Sequence, residues 1–124
     1  MTVDPWLRRA GSKVAALLVM ASGLLLVGCA GEDVPEVTNG DPVLIAGRDI
    51  YTRSCASCHG AQGGGGRGRQ INNGVLLLEY PDVDDQISLV AVGRNQMPGF
   101  AGRLSDEEIE AVVRYTREVL STVS

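Results

Sequence analysis

Five consecutive residues carry most of the chemistry in this 124-residue chain: Cys55-Ala56-Ser57-Cys58-His59. Two thiols separated by two residues lie about one helical turn apart, followed at once by an imidazole. Three ordinary uses of a Cys-x-x-Cys pair fit poorly. A thioredoxin-like dithiol expects a strand–helix–strand setting, and none is legible around it. A zinc site needs four ligands, usually two such pairs, whereas here there is one pair and a single histidine. A disulfide across two intervening residues closes too small a loop to add much stability. The remaining chemistry is covalent attachment of a c-type haem, each thiol forming a thioether to a vinyl group and His59 binding the iron.

The second iron ligand follows by elimination. Proteins hold haem iron with His, Met, Cys or Tyr. Beyond the pentapeptide, and with residues 1–28 set aside as an export signal, the chain has no other histidine and one methionine, Met97. Met97 stands in the loop Arg94-Asn95-Gln96-Met97-Pro98-Gly99-Phe100, where Pro98 restricts the backbone. A lone Met is commonly core filler, and Tyr51, Tyr80 and Tyr115 are also present. The setting favours Met97. Arg67, Arg69 and Arg94 are candidates for the haem propionates, because guanidinium suits carboxylates. Solvated surface charge is their other reading.

Helices must position these groups. Asp41-Pro42 reads as an N-cap followed by Pro at the first helical position, opening a helix with Leu44, Ile45, Ile50 and Tyr51 that ends near Ser54. Residues 60–74 form a loop with Gly63 to Gly66 in a row, suited to close backbone approach or to a flexible turn. Its lack of a Gly-Lys-Ser/Thr ending excludes a P-loop. Val75 to Leu78 is a short apolar run, either a helical turn or a buried loop. Pro81-Asp82 opens a further helix in which Ile87, Val90 and Ala91 share a face, with Gly93 as its stop. Ser105 and Glu108 form a capping box for the last helix, which keeps Ile109, Val112, Val113, Thr116 and Leu120 on one side. No strand-like alternation of useful length appears, so the domain reads as all-α.

The N-terminus carries Arg8, Arg9 and Lys13, then fourteen uncharged residues, 14–27. Fourteen is short of the roughly 20 apolar residues a spanning helix needs, and the order matches a secretory signal. The run ends Leu26-Val27-Gly28-Cys29, which resembles the bacterial lipoprotein signal and implies lipidation of Cys29. The alternative is a cleaved secretory signal with Cys29 a spare thiol or lost. The expected organisation is therefore a signal peptide at 1–28, a lipid-anchored tether at 29–40 and a haem domain at 41–124. Residues 29–124 would hold fourteen Asp or Glu against eight Arg, a net side-chain charge of −6, with no lysine. That acidity argues against nucleic acid or anionic lipid as partners.

Residues 41–121 resemble a small class I bacterial cytochrome c. The likeness is carried by Gly47 and Tyr51 ahead of CASCHG, the Gly-rich loop, the NQMPGF segment and the closing LSDEEIEAVVRYTREVL. It implies three to four helices packed around one covalent haem, with the first and last helices crossing near Gly47 and Tyr115. The family's haem loop often has a Gly-Pro step whose carbonyl orients the ligating histidine; here Gly68-Arg69 stands at that place. The resemblance also implies a one-electron carrier rather than an enzyme, anchored outside the cytoplasmic membrane. Its partners would be a quinol-oxidising complex, a dehydrogenase, or a terminal oxidase or reductase. A permanent haem c subunit of a larger membrane oxidoreductase is the alternative. A peroxidase or gas sensor needs an open sixth position, and the chain supplies no distal histidine.

Overall fold

The computed structural model describes residues 32–124. The expected signal peptide, 1–28, the lipidation site Cys29 and the first residues of the tether lie outside the described residues. Within them the chain is all-helical: α1 (Pro42–Ser54), α2 (Ala56–His59), α3 (Val75–Glu79), α4 (Val83–Val92) and α5 (Asp106–Glu118), then a 3-10 turn at Leu120–Thr122. Among the described residues there are no strands, only an isolated bridge between Arg94 and Met97. No helix among them is long and apolar enough to cross a membrane.

The helix signals act through their expected chemistry. The Asp41 carboxylate accepts from the Val43 and Leu44 N–H groups, with Pro42 at the first helical position. The Val43 N–H is the main reason its carboxyl titrates below the usual range, and Arg114 adds to this at 3.1 Å. The Ser105–Glu108 capping box closes reciprocally, at 3.3 and 2.9 Å. Gly93 ends α4 with φ +80°, a backbone state that favours glycine.

α1 and α5 cross at very close range. A Cβ on Gly47 would overlap the Ala111 carbonyl and lie 2.8 Å from the Tyr115 Cβ. Only a hydrogen at position 47 lets the two backbones meet. The core spreads from this crossing through Ile50, Tyr51, Ala111, Val112, Tyr115 and Leu120. The Tyr51 and Tyr115 rings lie 5.7 Å apart in a tilted pair. Both hydroxyls are satisfied, Tyr51 donating to the Gly60 carbonyl at 2.6 Å and Tyr115 to the Pro35 carbonyl at 2.8 Å.

That second bond corrects the reading of residues 29–40 as a plain tether. Val34 belongs to the core cluster, and Arg48 donates to the carbonyls of Val34 and Pro35 while pairing with Glu36. Residues 34–36 are thus strapped onto the helix crossing. Their polar composition hid this, because the contacts run through backbone carbonyls. Two apolar assignments shift as well. Ile45 is exposed, and the buried residue of α4 is Gln86 rather than one of Ile87, Val90 or Ala91.

Gly47→Ala is expected to lose about 3 kcal/mol or more of stability, since neither backbone can retreat without opening the core. Denaturant unfolding of the purified holoprotein measures it.

Candidate functional site

The pentapeptide leaves α1 through Cys55, whose N–H still bonds the Tyr51 carbonyl at 2.9 Å. α2 then makes one turn and stops at Gly60. Cys55 and Cys58 are both free thiols and both half-buried. Burial pushes the Cys55 thiol up to about 11, with Cys58 adding a smaller push. Reactive Cys-x-x-Cys thiols are driven the opposite way, so Cys55 lacks the activation of a dithiol oxidoreductase nucleophile.

His59 is oriented by backbone. Its Nδ1 lies 2.8 Å from the Arg69 carbonyl oxygen. A carbonyl only accepts, so Nδ1 carries the proton and Nε2 keeps its lone pair for a metal. The Gly-rich loop makes this bond possible. Gly65 N–H bonds the His59 carbonyl and Gly68 N–H the Cys58 carbonyl, each at 2.8 Å. A Cβ on Gly68 would sit 2.9 Å from His59 Nδ1. Close backbone approach, not a flexible turn, is therefore what these glycines provide. At the place of a Gly-Pro step, Arg69 offers the same carbonyl without the proline ring.

Met97 is held by a tight turn. Arg94 and Met97 exchange both backbone bonds at 3.0 Å, Asn95 takes a left-handed φ of +55°, and the Phe100 N–H ties back to the Val90 and Ala91 carbonyls at the end of α4. Cys55, His59 and Met97 then line one cleft, with Ile71, Leu76, Leu89, Val90, Val112 and Val113 as its apolar walls. Cys58 lies on the same turn as Cys55 but does not line the cleft. The donor set, an imidazole with a free Nε2, a thioether and two thiols beside apolar walls, fits a covalent haem.

The arginines divide. Arg69 pairs with Glu79 at 2.6 Å, and Arg94 donates to the Tyr80 hydroxyl at 2.7 Å. Arg67 is exposed and makes no hydrogen bond among the described residues. Two residues of the cleft wall escaped the sequence reading: Gln86 and Thr116 face the cleft and each other, the amide donating to the hydroxyl at 2.9 Å. Gln86 stands three residues before Leu89 and four before Val90, on the face of α4 that lines the cleft, and that spacing was the available signal for the first.

The family model described as "Cytochrome C oxidase, cbb3-type, subunit III" matches residues 43–115. The chain belongs to the class I monohaem c-type cytochromes. This cytochrome is 35% identical to cytochrome c6 of Leptolyngbya boryana over 72 residues, covering 56% of this chain and 85% of that protein. It is also 35% identical to the chloroplastic cytochrome c6 of Chlamydomonas reinhardtii over 109 residues, spanning 82% of this chain and 66% of that protein's length. The solved structure of cytochrome c6 from the diatom Phaeodactylum tricornutum superposes with a TM-score of 0.51 at 36% identity, over 59% of this chain and 88% of that one. The cytochrome is thus a cytochrome c6-like electron carrier, not an enzyme, and its family binds one covalent haem c.

Gly68→Ala is expected to break the Nδ1–carbonyl bond by pushing the imidazole off Arg69. NMR of the holoprotein checks this, since the Nδ1 proton should exchange with solvent at least about tenfold faster than in wild type.

Proposed function

We propose that this cytochrome carries single electrons outside the cytoplasmic membrane, its haem bonded through Cys55 and Cys58 and its iron held by His59 and Met97. The observation that carries the ligand assignment is the 2.8 Å bond between His59 Nδ1 and the Arg69 carbonyl, in a cleft that Met97 also lines. A carbonyl-bound imidazole keeps one tautomer and one orientation, and a hydrogen bond to the remote nitrogen raises the basicity of the ligating one. The haem itself supplies the one-electron couple. Met97 contributes a soft thioether that favours reduced iron and raises the potential. The turn that fixes Met97 and the glycine loop that fixes His59 keep both side chains in place through a redox cycle, and the apolar walls exclude water.

In the same reading the cytochrome is exported and lipidated on Cys29. Two acyl chains suffice for stable anchoring where one is marginal. Its redox partners would be membrane oxidoreductases: a quinol-oxidising complex, a dehydrogenase, or a terminal oxidase or reductase. A second reading, a permanent haem c subunit of such a complex, is favoured by the description of the matching family model. Purification from native membranes in mild detergent separates them, since a carrier elutes alone and a subunit brings its complex.

Met97→Ala is expected to lower the midpoint potential and let added imidazole bind the iron. An unchanged spectrum and potential would exclude Met97 as a ligand. Cys29→Ala is expected to move the cytochrome from the membrane pellet to the supernatant after export, checked by fractionation with haem staining.

A further inference from the structure

Behind the cleft wall lies a polar relay that the electron-carrier reading does not use. Gln86 on α4 is 3% exposed and Thr116 on α5 is 6% exposed, and both line the cleft beside Leu89, Val90, Val112 and Val113. The Gln86 Nε2 donates to Thr116 Oγ1 at 2.9 Å, and that hydroxyl donates onward to the Val113 carbonyl at 2.8 Å. On its other side, Gln86 Oε1 accepts from Arg117 at 3.0 Å. A guanidinium only donates, so the amide orientation is fixed: oxygen toward Arg117, nitrogen toward Thr116. One of the two Nε2 hydrogens goes to Thr116, and the other has no acceptor among the described residues.

Arg117 is placed unlike the other paired arginines. Arg48, Arg69 and Arg114 each meet a carboxylate. Arg117 is half-buried and is held by three neutral oxygens, those of Gln86, Tyr80 at 2.8 Å and Pro81 at 3.0 Å. No carboxylate pairs with it among the described residues. Its charge is therefore not cancelled locally, and an amide bound to it forms part of the cleft wall. A fixed cation beside a low-dielectric cleft disfavours any further positive charge placed there.

We propose that Gln86 and Arg117 are potential-setting residues, which hold an uncompensated positive charge and an oriented amide against the cleft so that the reduced state of its redox centre is favoured. The inference rests on the reading of this cleft as the haem site. The relay also ties α4 to α5 and to the Tyr80–Pro81 corner, so a purely structural role is the rival. The two differ in one respect: a structural tie stabilises both redox states equally, whereas a cation acts on their difference.

The test uses the holoprotein matured with its haem, in wild type and in Arg117→Gln, Arg117→Lys, Gln86→Leu and Arg114→Gln. Arg114→Gln removes the same charge from the same helix at a position that does not line the cleft. Midpoint potentials are read by spectroelectrochemistry, and thermal unfolding is read in the ferrous and ferric forms. In Arg117→Gln and in Gln86→Leu the reduced-to-oxidised ratio at fixed solution potential should fall about threefold, or ~28 mV at about 59 mV per tenfold for one electron. The ferric form should gain stability relative to the ferrous in both. Arg117→Lys should keep the wild-type potential, and Arg114→Gln should change it by less than Arg117→Gln. Should Arg117→Gln not fold, Gln86→Leu and Arg117→Lys carry the same decision. Potentials in Gln86→Leu and Arg117→Gln that match wild type or Arg114→Gln, with both redox forms destabilised alike, overturn the proposal. A wild-type product that loses all colour in acidified organic solvent fails the haem reading itself, a result distinct from unchanged potentials in a coloured protein.

Discussion

The approach of α1 to α5 at Gly47 is the constraint on which the rest depends. With no Cβ at 47, the α1 backbone lies against the Ala111 carbonyl and the Tyr115 Cβ. That distance sets where Tyr51 and Tyr115 stack, and Tyr51 then fixes the Gly60 carbonyl just after the Cys55–His59 pentapeptide. The same crossing presents Val112, Val113 and Thr116 of α5 to the cleft. Cys55 follows directly from the last turn of α1, and its N–H remains in the helical hydrogen-bond ladder. The placement of the proposed attachment residues is therefore a consequence of helix packing rather than of the loop that follows them.

That loop has a different task. Seven residues with positive φ lie between 60 and 95, five of them glycines and two asparagines. At Gly68 the requirement is space, since the imidazole occupies the volume a side chain would need. The carbonyl of Arg69 then reaches His59 without a proline to stiffen it. The Arg69 guanidinium instead reaches Glu79 at the end of α3, tying the same residue to the domain from its exposed side. An exposed pair of this kind is worth little in stability, at most about 1 kcal/mol. Its effect is local, restricting a residue whose carbonyl is already engaged.

What was legible in the sequence was whatever depends on local chemistry. The caps at Asp41 and Ser105, the stop at Gly93 and the spacing of the pentapeptide need only neighbours in sequence, and α1 ends at Ser54 as its signals imply. Ile109, Val112, Val113 and Thr116 share the buried side of α5 because one long amphipathic helix averages out local accidents. The short helices were less legible. In α4, hydrophobicity pointed to Ile87, Val90 and Ala91; Val90 does line the cleft, but the buried residue is Gln86, whose amide finds Arg117 and Thr116 on another helix. No pattern within residues 83–92 reveals partners thirty residues away. The apolar run 75–78 is the helical turn of its two readings, with Leu76 buried and Leu78 85% exposed.

The strap at residues 34–36 shows why composition alone misreads a segment. Val34, Pro35 and Glu36 sit in a stretch with no periodicity, yet Arg48 and Tyr115 together take three acceptors from them. These donors lie on α1 and α5, so the strap forms only once the helix crossing exists, and it then covers part of that crossing. Were Cys29 lipidated as proposed, this docking would shorten the reach of the anchor. A tether running to Gly40 would be eleven residues and reach about 36 Å when extended, at ~3.3 Å each. Docking from Val34 leaves residues 30–33 as spacer, a contour of about 13 Å. With so short a spacer, a lipidated chain samples a narrow range of heights above its bilayer. A carrier anchored in the proposed way would meet partners by diffusing in the plane of the membrane, which would suit complexes embedded there better than soluble acceptors.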